Sequence, residues 1–127
     1  MKRIVNTDKA PAPIGPYSQA VQSGNTLFIS GQIALDPSTG ELRTETIESE
    51  TTQVMDNLQA ILAAAGMGFK EVVKTSIFIT DMHLFSKINE VYGRYIDPAS
   101  PPARETVEVA NLPKFVRVEI SMIAVKS

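Results

Sequence analysis

The sequence predicts an α+β fold in a single domain, residues 1–127, from the order of its elements, its length and its composition. Two stretches with helical periodicity interrupt a series of β patterns, in the order β-hairpin, helix, strand, helix, strand, strand. A chain of 127 residues is long enough for one hydrophobic core and short for two. Its 43% hydrophobic and 20% charged residues, without internal repeat, low-complexity segment or linker, are typical of a globular domain.

The first element is a β-hairpin in "YSQAVQSGNTLFISGQI", where strand-forming residues flank Gly24 and Asn25. These two residues favour a tight turn because they tolerate positive φ. Residues 33–44 follow as a loop or a second short hairpin, since "LDPSTGEL" is rich in turn-forming residues.

A long helix is predicted from about Ile47, where apolar residues begin to recur at steps of three and four. The residues on this apolar face are Ile47, Val54, Met55, Leu58, Ile61, Leu62 and Ala65. Thr44 or Thr46 is a suitable N-cap, and Gly66 suits the position just after the helix.

The stretch "EVVKTSIFIT" predicts a central strand, because it is apolar at nearly every position except Lys74. We expect both faces of this strand to be covered. Asp81 can cap a second helix, "MHLFSKINEVYGRYI", which ends before the prolines of "DPASPP". The apolar stripe of this helix consists of Leu84, Ile88, Val91, Tyr92 and Tyr95.

Two alternating strands, "ARETVEVA" and "FVRVEISMIAV", complete the domain. The residues that share a face are Val107 and Val109 in the first strand, and Val116, Val118, Ile120 and Met122 in the second. Two helices can cover only one face of a single sheet. We therefore expect a second subunit to cover the other face, in a homo-oligomer.

Charge and composition narrow the possible partners and the location. The net charge is −2, the pI is near 5.4, and no basic run exceeds the "KR" at positions 2 and 3, so nucleic acid is disfavoured as a partner. No stretch approaches the roughly 20 apolar residues of a membrane span, and no signal peptide is expected. The cytoplasm is the expected location.

Several sources of catalytic activity are excluded by the residues that the chain lacks. It has no cysteine, and it has no GxxxxGK[ST], HExxH or GxSxG motif. Thiolate nucleophiles, phosphate-loop chemistry and zinc hydrolysis are therefore disfavoured, and no metal or cofactor is expected. His83 is the sole histidine, and its position near the start of a helix favours a solvated surface imidazole over a catalytic one.

Arg104 and Glu119 are the strongest candidates for function. Arg104 opens a strand after a proline-stiffened loop, and its guanidinium can hold a carboxylate with two bonds; the alternative is a surface ion pair with Glu105 or Asp97. Glu119 interrupts an apolar strand, and it is either an ordinary outer-face glutamate or, where that face lines a cleft, a general base or acid with a raised pKa.

Tyr17 and the pair Ser30-Gly31 lie at predicted strand ends, and each also fits an ordinary turn or core position. Gly31 would allow a ligand to approach its backbone N–H closely.

Six motifs occur in an order that resembles the Rid (YjgF-type) family of reactive-intermediate deaminases. They are "APAPIGPYSQAV", "LFISGQIALDPSTGE", "NLQAILAAAG", "VVKTSIFITD", "PPARETVEVANLP" and "VRVEISMIAV". The resemblance implies a chorismate-mutase-like mixed β-sheet with two helices packed on one face, assembled as a homotrimer with ligand clefts between subunits. It also implies cofactor-free hydrolysis of 2-imino and 2-enamino acids, such as 2-aminoacrylate released by PLP-dependent dehydratases, to 2-keto acids and ammonia.

The resemblance also implies roles for individual residues. Arg104 matches the arginine that clamps the substrate carboxylate, and Glu119 matches the glutamate that positions and activates water. The residues matching those that line the cleft are Tyr17, Ser30, Gly31 and Asn89. Thr106 stands where many members carry a cysteine, so it can supply a backbone N–H and a small side chain but no thiol chemistry.

Two other functions remain open on the sequence. The same arginine would serve a non-catalytic, regulatory binder of small carboxylates. A ribonuclease or translation inhibitor is also attached to some relatives, but phosphate contacts need positive charge, which this chain lacks.

Overall fold

The computed structural model describes residues 1–127 and contains one six-stranded mixed sheet with two α-helices. The strands are β1 (Lys2–Val5), β2 (Ala20–Ser23), β3 (Thr26–Gln32), β4 (Val72–Ile79), β5 (Ala103–Glu108) and β6 (Val118–Val125). The helices are α1 (Ile47–Ala64) and α2 (Phe85–Gly93). The spatial order is β1-β2-β3-β6-β4-β5, in which only β4 and β5 are parallel. The predicted α+β fold is confirmed.

The predicted hairpin is formed by β2 and β3, with Gly24 at a positive φ of 59° in the turn. For residues 33–44 the sequence predicted a loop or a second short hairpin. The structure has a loop that is closed by one isolated β-bridge between Leu35 and Leu42.

Strand β1 was not predicted. Its sequence "KRIV" is short and starts with two charged residues, and it becomes a strand only by pairing with β2.

Helix α1 begins and ends at the predicted signals. Thr46 is the N-cap: its Oγ1 accepts from the Ser49 N–H at 3.0 Å, and the Ser49 Oγ accepts from the Thr46 N–H at 3.1 Å. Gly66, with φ of 73°, follows the helix and reverses the chain. Thr44 is therefore not the cap.

Helix α2 is shorter than the predicted span of 82–96. A 3₁₀ turn at Met82–Leu84 precedes it, and Asp81 caps that turn by accepting from the His83 N–H at 2.9 Å. The helix ends at Gly93, three residues before the end of the predicted segment. A glycine weakens helical hydrogen bonding at its position, so an end there is physically reasonable.

The last strand begins at Val118, although the alternating pattern predicted Phe115. Residues Pro113–Phe115 instead form a 3₁₀ turn in which Lys114 and Phe115 have positive φ, at 54° and 57°. Two consecutive non-glycine residues in this region are unusual and need support from the surrounding structure.

Glu50, a fully buried residue of α1, binds the chain directly after this turn. Its carboxylate accepts from the Arg117 N–H at 2.8 Å, the Arg117 Nε at 2.7 Å and the Val118 N–H at 3.3 Å. Arg117 also donates to the Thr44 carbonyl at 2.9 Å. These bonds fix the start of β6 against α1.

The two faces of the sheet differ in burial. Both helices pack on one face, which we call the helix face, and the residues it buries include Leu27, Ile29, Thr75, Ile77, Ile79, Ile120 and Met122. The opposite face, here called the open face, carries Phe28, Ser76, Phe78, Val107, Glu119 and Ile123. On it Phe28 is 48% exposed and Val107 is 42% exposed. The helices thus cover only one side of β4, and the second cover remains a prediction.

No helix in the structure is both long enough and apolar enough to cross a lipid bilayer.

Candidate functional site

The sheet register separates the predicted site residues into two groups on opposite faces. Arg104 pairs with Thr75 and Thr106 with Ile77, both of which are buried on the helix face. Glu119 pairs with Phe78. Both lie on the open face, because side chains alternate between the two faces along a strand and the neighbouring Ile77 and Ile120 lie on the helix face. Within one chain, therefore, the structure does not bring Arg104 and Glu119 together.

The first group, which we call the arginine group, consists of Arg104, Asn89 and Thr106. The Arg104 Nη1 donates to the Asn89 Oδ1 of α2 at 2.7 Å. The guanidinium carbon also lies 5.2 Å from the ring centroid of Tyr92 and 5.6 Å from that of Phe85. Aromatic faces attract cations at these distances, so the rings and Asn89 hold the guanidinium in place.

Arg104 has no carboxylate partner, so its predicted alternative as a surface ion pair is wrong. Glu105 points to the open face, where it pairs with Lys74 at 2.9 Å and accepts a short hydrogen bond from Ser76. Asp97 accepts from the Ala99 N–H at 2.9 Å. The exposed guanidinium therefore keeps most of its donors available for an anion from outside the chain.

The ring of Tyr92 packs against the guanidinium of Arg104. Burial raises the pKa of its phenol, while the bond to Thr75 and the charge of Arg104 lower it. The phenol donates to the Thr75 Oγ1 at 3.0 Å, so the Tyr92 ring is a neutral and fixed support for the arginine group at ordinary pH.

Thr106 lies in β5, whose outer edge pairs with no other strand. The Val109 N–H donates to the Ile79 carbonyl at 2.8 Å, toward β4. Backbone groups alternate in direction along a strand, so the Thr106 N–H points toward the open edge. A ligand at this edge can accept from that amide.

The second group, which we call the glutamate group, lines a cavity of about 350 Å³. It consists of Tyr17, Ser30, Gly31 and Glu119, and Pro113 closes the cavity beside Glu119. Four predicted site residues, from three separate parts of the sequence, thus line one cavity.

Glu119 is half-buried in this cavity, and no group of the chain donates a hydrogen bond to its carboxylate. Desolvation by burial is the sole cause acting on it, and it raises the pKa of the carboxyl above the usual 4.5. The sequence analysis required that the face carrying Glu119 line a cleft if this residue is to act as a general base or acid. In the structure Glu119 does line a cavity.

Gly31 provides the space that Glu119 occupies. A Cβ added at Gly31 would lie 2.8 Å from the Cδ of Glu119 and 3.0 Å from its Oε2. Any other residue at this position would push the carboxylate away from its present location.

The wall of the cavity is an N-terminal loop that contributes Pro11, Ala12 and Ile14. Buried Gln19 organises this loop with its side-chain amide. Its Nε2 lies 3.0, 3.2 and 2.9 Å from the carbonyl oxygens of Thr7, Ala10 and Pro11, which share its two hydrogens, and its Oε1 accepts from the Thr7 N–H at 2.7 Å.

Tyr17 and Ser30 are fixed by the same loop. The Tyr17 hydroxyl accepts from the Ile14 N–H at 3.3 Å, and the Ser30 Oγ donates to the Ser18 carbonyl at 2.6 Å.

The role of Gln19 in the cavity wall was not predicted from the sequence. A polar residue within a strand pattern carries no signal that its side chain is buried.

His83 belongs to neither group. Its side chain is 96% exposed and its Nδ1 lies 2.8 Å from the Asp81 Oδ1, at the start of the 3₁₀ turn. The surface interpretation of this histidine is confirmed.

Comparisons with known proteins agree with this fold. The family model described as Endoribonuclease L-PSP, which defines the YjgF/RidA class of small α+β proteins, matches residues 7–126. The chain therefore belongs to this family, as the motifs predicted.

Individual relatives cover nearly the full chain. The mouse (Mus musculus) 2-iminobutanoate/2-iminopropanoate deaminase is 48% identical, over 99% of this chain and 93% of its own length. The crystal structure of RidA from an Antarctic Psychrobacter is 45% identical with a TM-score of 0.94, covering 98% of this chain and 99% of its own. The crystal structure of E. coli TdcF with bound serine is 42% identical with a TM-score of 0.93, over 98% and 99% of the two chains.

Proposed function

We propose that this protein hydrolyses 2-imino acids and their enamine tautomers, such as 2-aminoacrylate, to 2-keto acids and ammonia. The observation that carries the proposal is the pair of complementary groups on opposite faces. Arg104 is a fixed cation without a carboxylate partner, and Glu119 is a half-buried carboxylate without a donor. The first fits the carboxylate of a small imino acid, and the second fits the water molecule that attacks C2 of that acid.

Relatives support the same substrate class. The mouse protein is named for the deamination of 2-iminobutanoate and 2-iminopropanoate, and TdcF binds serine, a small amino acid with an α-carboxylate. By similarity we extend this substrate class to the present chain, and we propose the cytoplasm as the place of the reaction.

The site forms, in our proposal, between subunits of a homotrimer. Because the two groups lie on opposite faces of one chain, a complete site needs the arginine group of one subunit beside the glutamate group of another. The exposed Phe28 and Val107 of the open face give such a contact an apolar surface to bury. The number three follows from the resemblance to the family.

The reaction needs positioning and proton transfer, which these residues can supply. Arg104 and the Thr106 N–H hold the substrate carboxylate, and this orients C2 of the imine toward the cavity. Glu119 accepts a proton from water as the water oxygen bonds to C2, and the C=N bond becomes a single bond. Glu119 returns this proton to the nitrogen, which gives the carbinolamine. It then carries the hydroxyl proton to the nitrogen as the C–N bond breaks and the C=O bond forms, so that ammonia and the 2-keto acid leave.

The raised pKa of Glu119 suits this role, because general acid–base catalysis is most effective when the pKa of the catalytic group lies closer to the working pH. Tyr17 and Ser30 face the same cavity and can bind the water or the nitrogen.

The family model's description as an endoribonuclease is not extended to this chain. Binding of an RNA backbone needs several cationic contacts, and a chain with a net charge of −2 and no basic cluster offers few.

The test is keto-acid release in a coupled system in which a PLP-dependent dehydratase generates 2-aminoacrylate. We expect the wild type to accelerate release. Arg104→Ala should raise KM roughly 10- to 100-fold, since hydrogen bonds to charged groups are worth about 1.5–3 kcal/mol. Glu119→Gln should lower kcat by roughly two orders of magnitude or more.

The matched controls are Arg94→Ala and Glu90→Gln, which alter an exposed i,i+4 ion pair at the C-terminal end of α2 and should leave turnover unchanged. Full activity of Glu119→Gln would refute the water-activating role. Binding of 2-keto acids without any acceleration by the wild type would favour the regulatory carboxylate binder.

A further inference from the structure

Thr106 carries the only buried side-chain oxygen or nitrogen in the chain that has no hydrogen-bond partner. A hydroxyl removed from water without a new partner is unfavourable, and such groups are rare in folded proteins. Valine has the same shape and would fill this position without that cost. The Thr106 hydroxyl therefore indicates a hydrogen-bond partner from outside the chain.

The polar side chains near Arg104 do not supply that partner. Asn89 accepts from Arg104, and the Tyr92 hydroxyl donates to Thr75. These groups on the helix face are engaged with one another, and Thr106 is left out of both pairs.

Thr106 is close to the expected position of the ligand. It follows Arg104 by two residues on the same face of β5, which places the two Cα atoms about 6–7 Å apart. A carboxylate held by Arg104 at the open edge of β5 lies within reach of both side chains. The Thr106 side chain is only half-buried, and a rotation about χ1 exchanges its methyl and hydroxyl positions.

We propose that the Thr106 hydroxyl donates a hydrogen bond to the carboxylate of the ligand bound by Arg104. This inference deepens the proposed function and rests on it for the identity of the ligand. The carboxylate then receives the Arg104 fork, the Thr106 N–H and the Thr106 hydroxyl. Thr106 is thereby a specificity-determining residue for α-carboxylates. A cysteine at this position would contribute less to carboxylate binding, because its S–H is a weak hydrogen-bond donor.

The experiment compares Thr106→Val with Thr106→Ser in the assembled protein. Binding of 2-oxobutanoate, a 2-keto acid of the product class, is measured by calorimetry, and stability is measured by thermal unfolding. Valine keeps the shape and removes the donor, whereas serine keeps the donor and removes the methyl group.

We expect Thr106→Val to weaken 2-oxobutanoate binding about 3- to 10-fold, the usual range for one hydrogen bond, with an unchanged or higher Tm. Thr106→Ser should bind within about 2-fold of the wild type. A merely structural role would not produce weaker binding together with undiminished stability.

Unchanged binding by Thr106→Val would overturn the inference, and so would equal losses in both variants, which would indicate packing. Failure of the proposed function is distinguishable. Weaker binding by Thr106→Val in a wild type that binds but does not turn over imines would support the hydroxyl's role and refute only the deaminase. Absence of any 2-oxobutanoate binding by the wild type would overturn both.

Discussion

If each site joins Arg104 of one subunit to Glu119 of another, two inactive variants must regain activity when their subunits are mixed. The perturbation is the co-refolding of Arg104→Ala and Glu119→Gln chains in equal amounts. The two residues lie on opposite faces of the sheet, so each variant chain retains one intact group.

The expected recovery follows from counting. A site is intact when its arginine comes from a Glu119→Gln chain and its glutamate from an Arg104→Ala chain. Each choice has a probability of one half, so about a quarter of all sites are intact in a closed ring of any size. If the two residues worked within one chain, no site would be intact.

A quarter of wild-type activity stands well above both parents. At low substrate concentration, Arg104→Ala should retain roughly 1–10% of wild-type activity, from the strength of charge-assisted hydrogen bonds. Glu119→Gln should retain about 1% or less, from the usual contribution of a general base.

The assay is keto-acid release from enzymatically generated 2-aminoacrylate, with native mass spectrometry to verify that hybrid oligomers have formed. Each variant refolded alone is one control, and the two native proteins combined without refolding are another. Verified hybrids whose activity does not exceed the parental average would refute the site between subunits.

Three further substitutions test the architecture around the two groups. Gly31→Ala should lower kcat at least about 10-fold with little loss of stability, because its Cβ would displace the Glu119 carboxylate; Gly93→Ala, where an added Cβ meets nothing within 4 Å, is the control in both steady-state kinetics and thermal unfolding. Glu50→Gln should lower the free energy of unfolding in urea by about 3 kcal/mol, since it removes the buried charge at the start of β6. Gln19→Leu should cost about 2–3 kcal/mol on the same scale and raise KM more than it lowers kcat, because it leaves loop carbonyls without donors and loosens the cavity wall; an unchanged KM would show that the loop holds its shape without this amide.

Local patterns predicted those elements whose ends are encoded nearby. Helix α1 runs between a threonine cap and a left-handed glycine, and both signals lie within two residues of the helix ends. The start of β6 could not be predicted in this way. The apolar alternation continues back to Phe115, but Glu50, distant in sequence, binds the Arg117 backbone and determines where the strand begins.

The same distinction applies to the site. Arg104 and Glu119 were recognisable as residues of unusual type for their positions, and the family motifs added the cleft residues. The sequence could not show that Arg104 and Glu119 lie on opposite faces of the sheet, because this depends on how β4 aligns with both β5 and β6. Gln19 was missed since its burial is a property of the folded loop and not of its neighbours in sequence.

The pH dependence of turnover provides an independent test of whether the two groups meet. Burial raises the pKa of Glu119 above 4.5, and the base must be ionised, so kcat/KM should rise with pH through a midpoint above that value. Loss of this acid limb in Glu119→Gln would assign it to the glutamate.

The position of that midpoint also reports on Arg104. A nearby cation stabilises a carboxylate, so in an assembled site Arg104 opposes the effect of burial and keeps the pKa of Glu119 lower than burial alone would. Arg104→Ala should therefore move the acid limb of kcat/KM to higher pH, whereas Arg94→Ala, which removes an exposed cation just after α2, should leave it in place. In a single chain the sheet separates Arg104 from Glu119, and its removal would not shift the limb. A midpoint that is identical in Arg104→Ala and in the wild type would thus contradict a shared site, whatever the loss in rate.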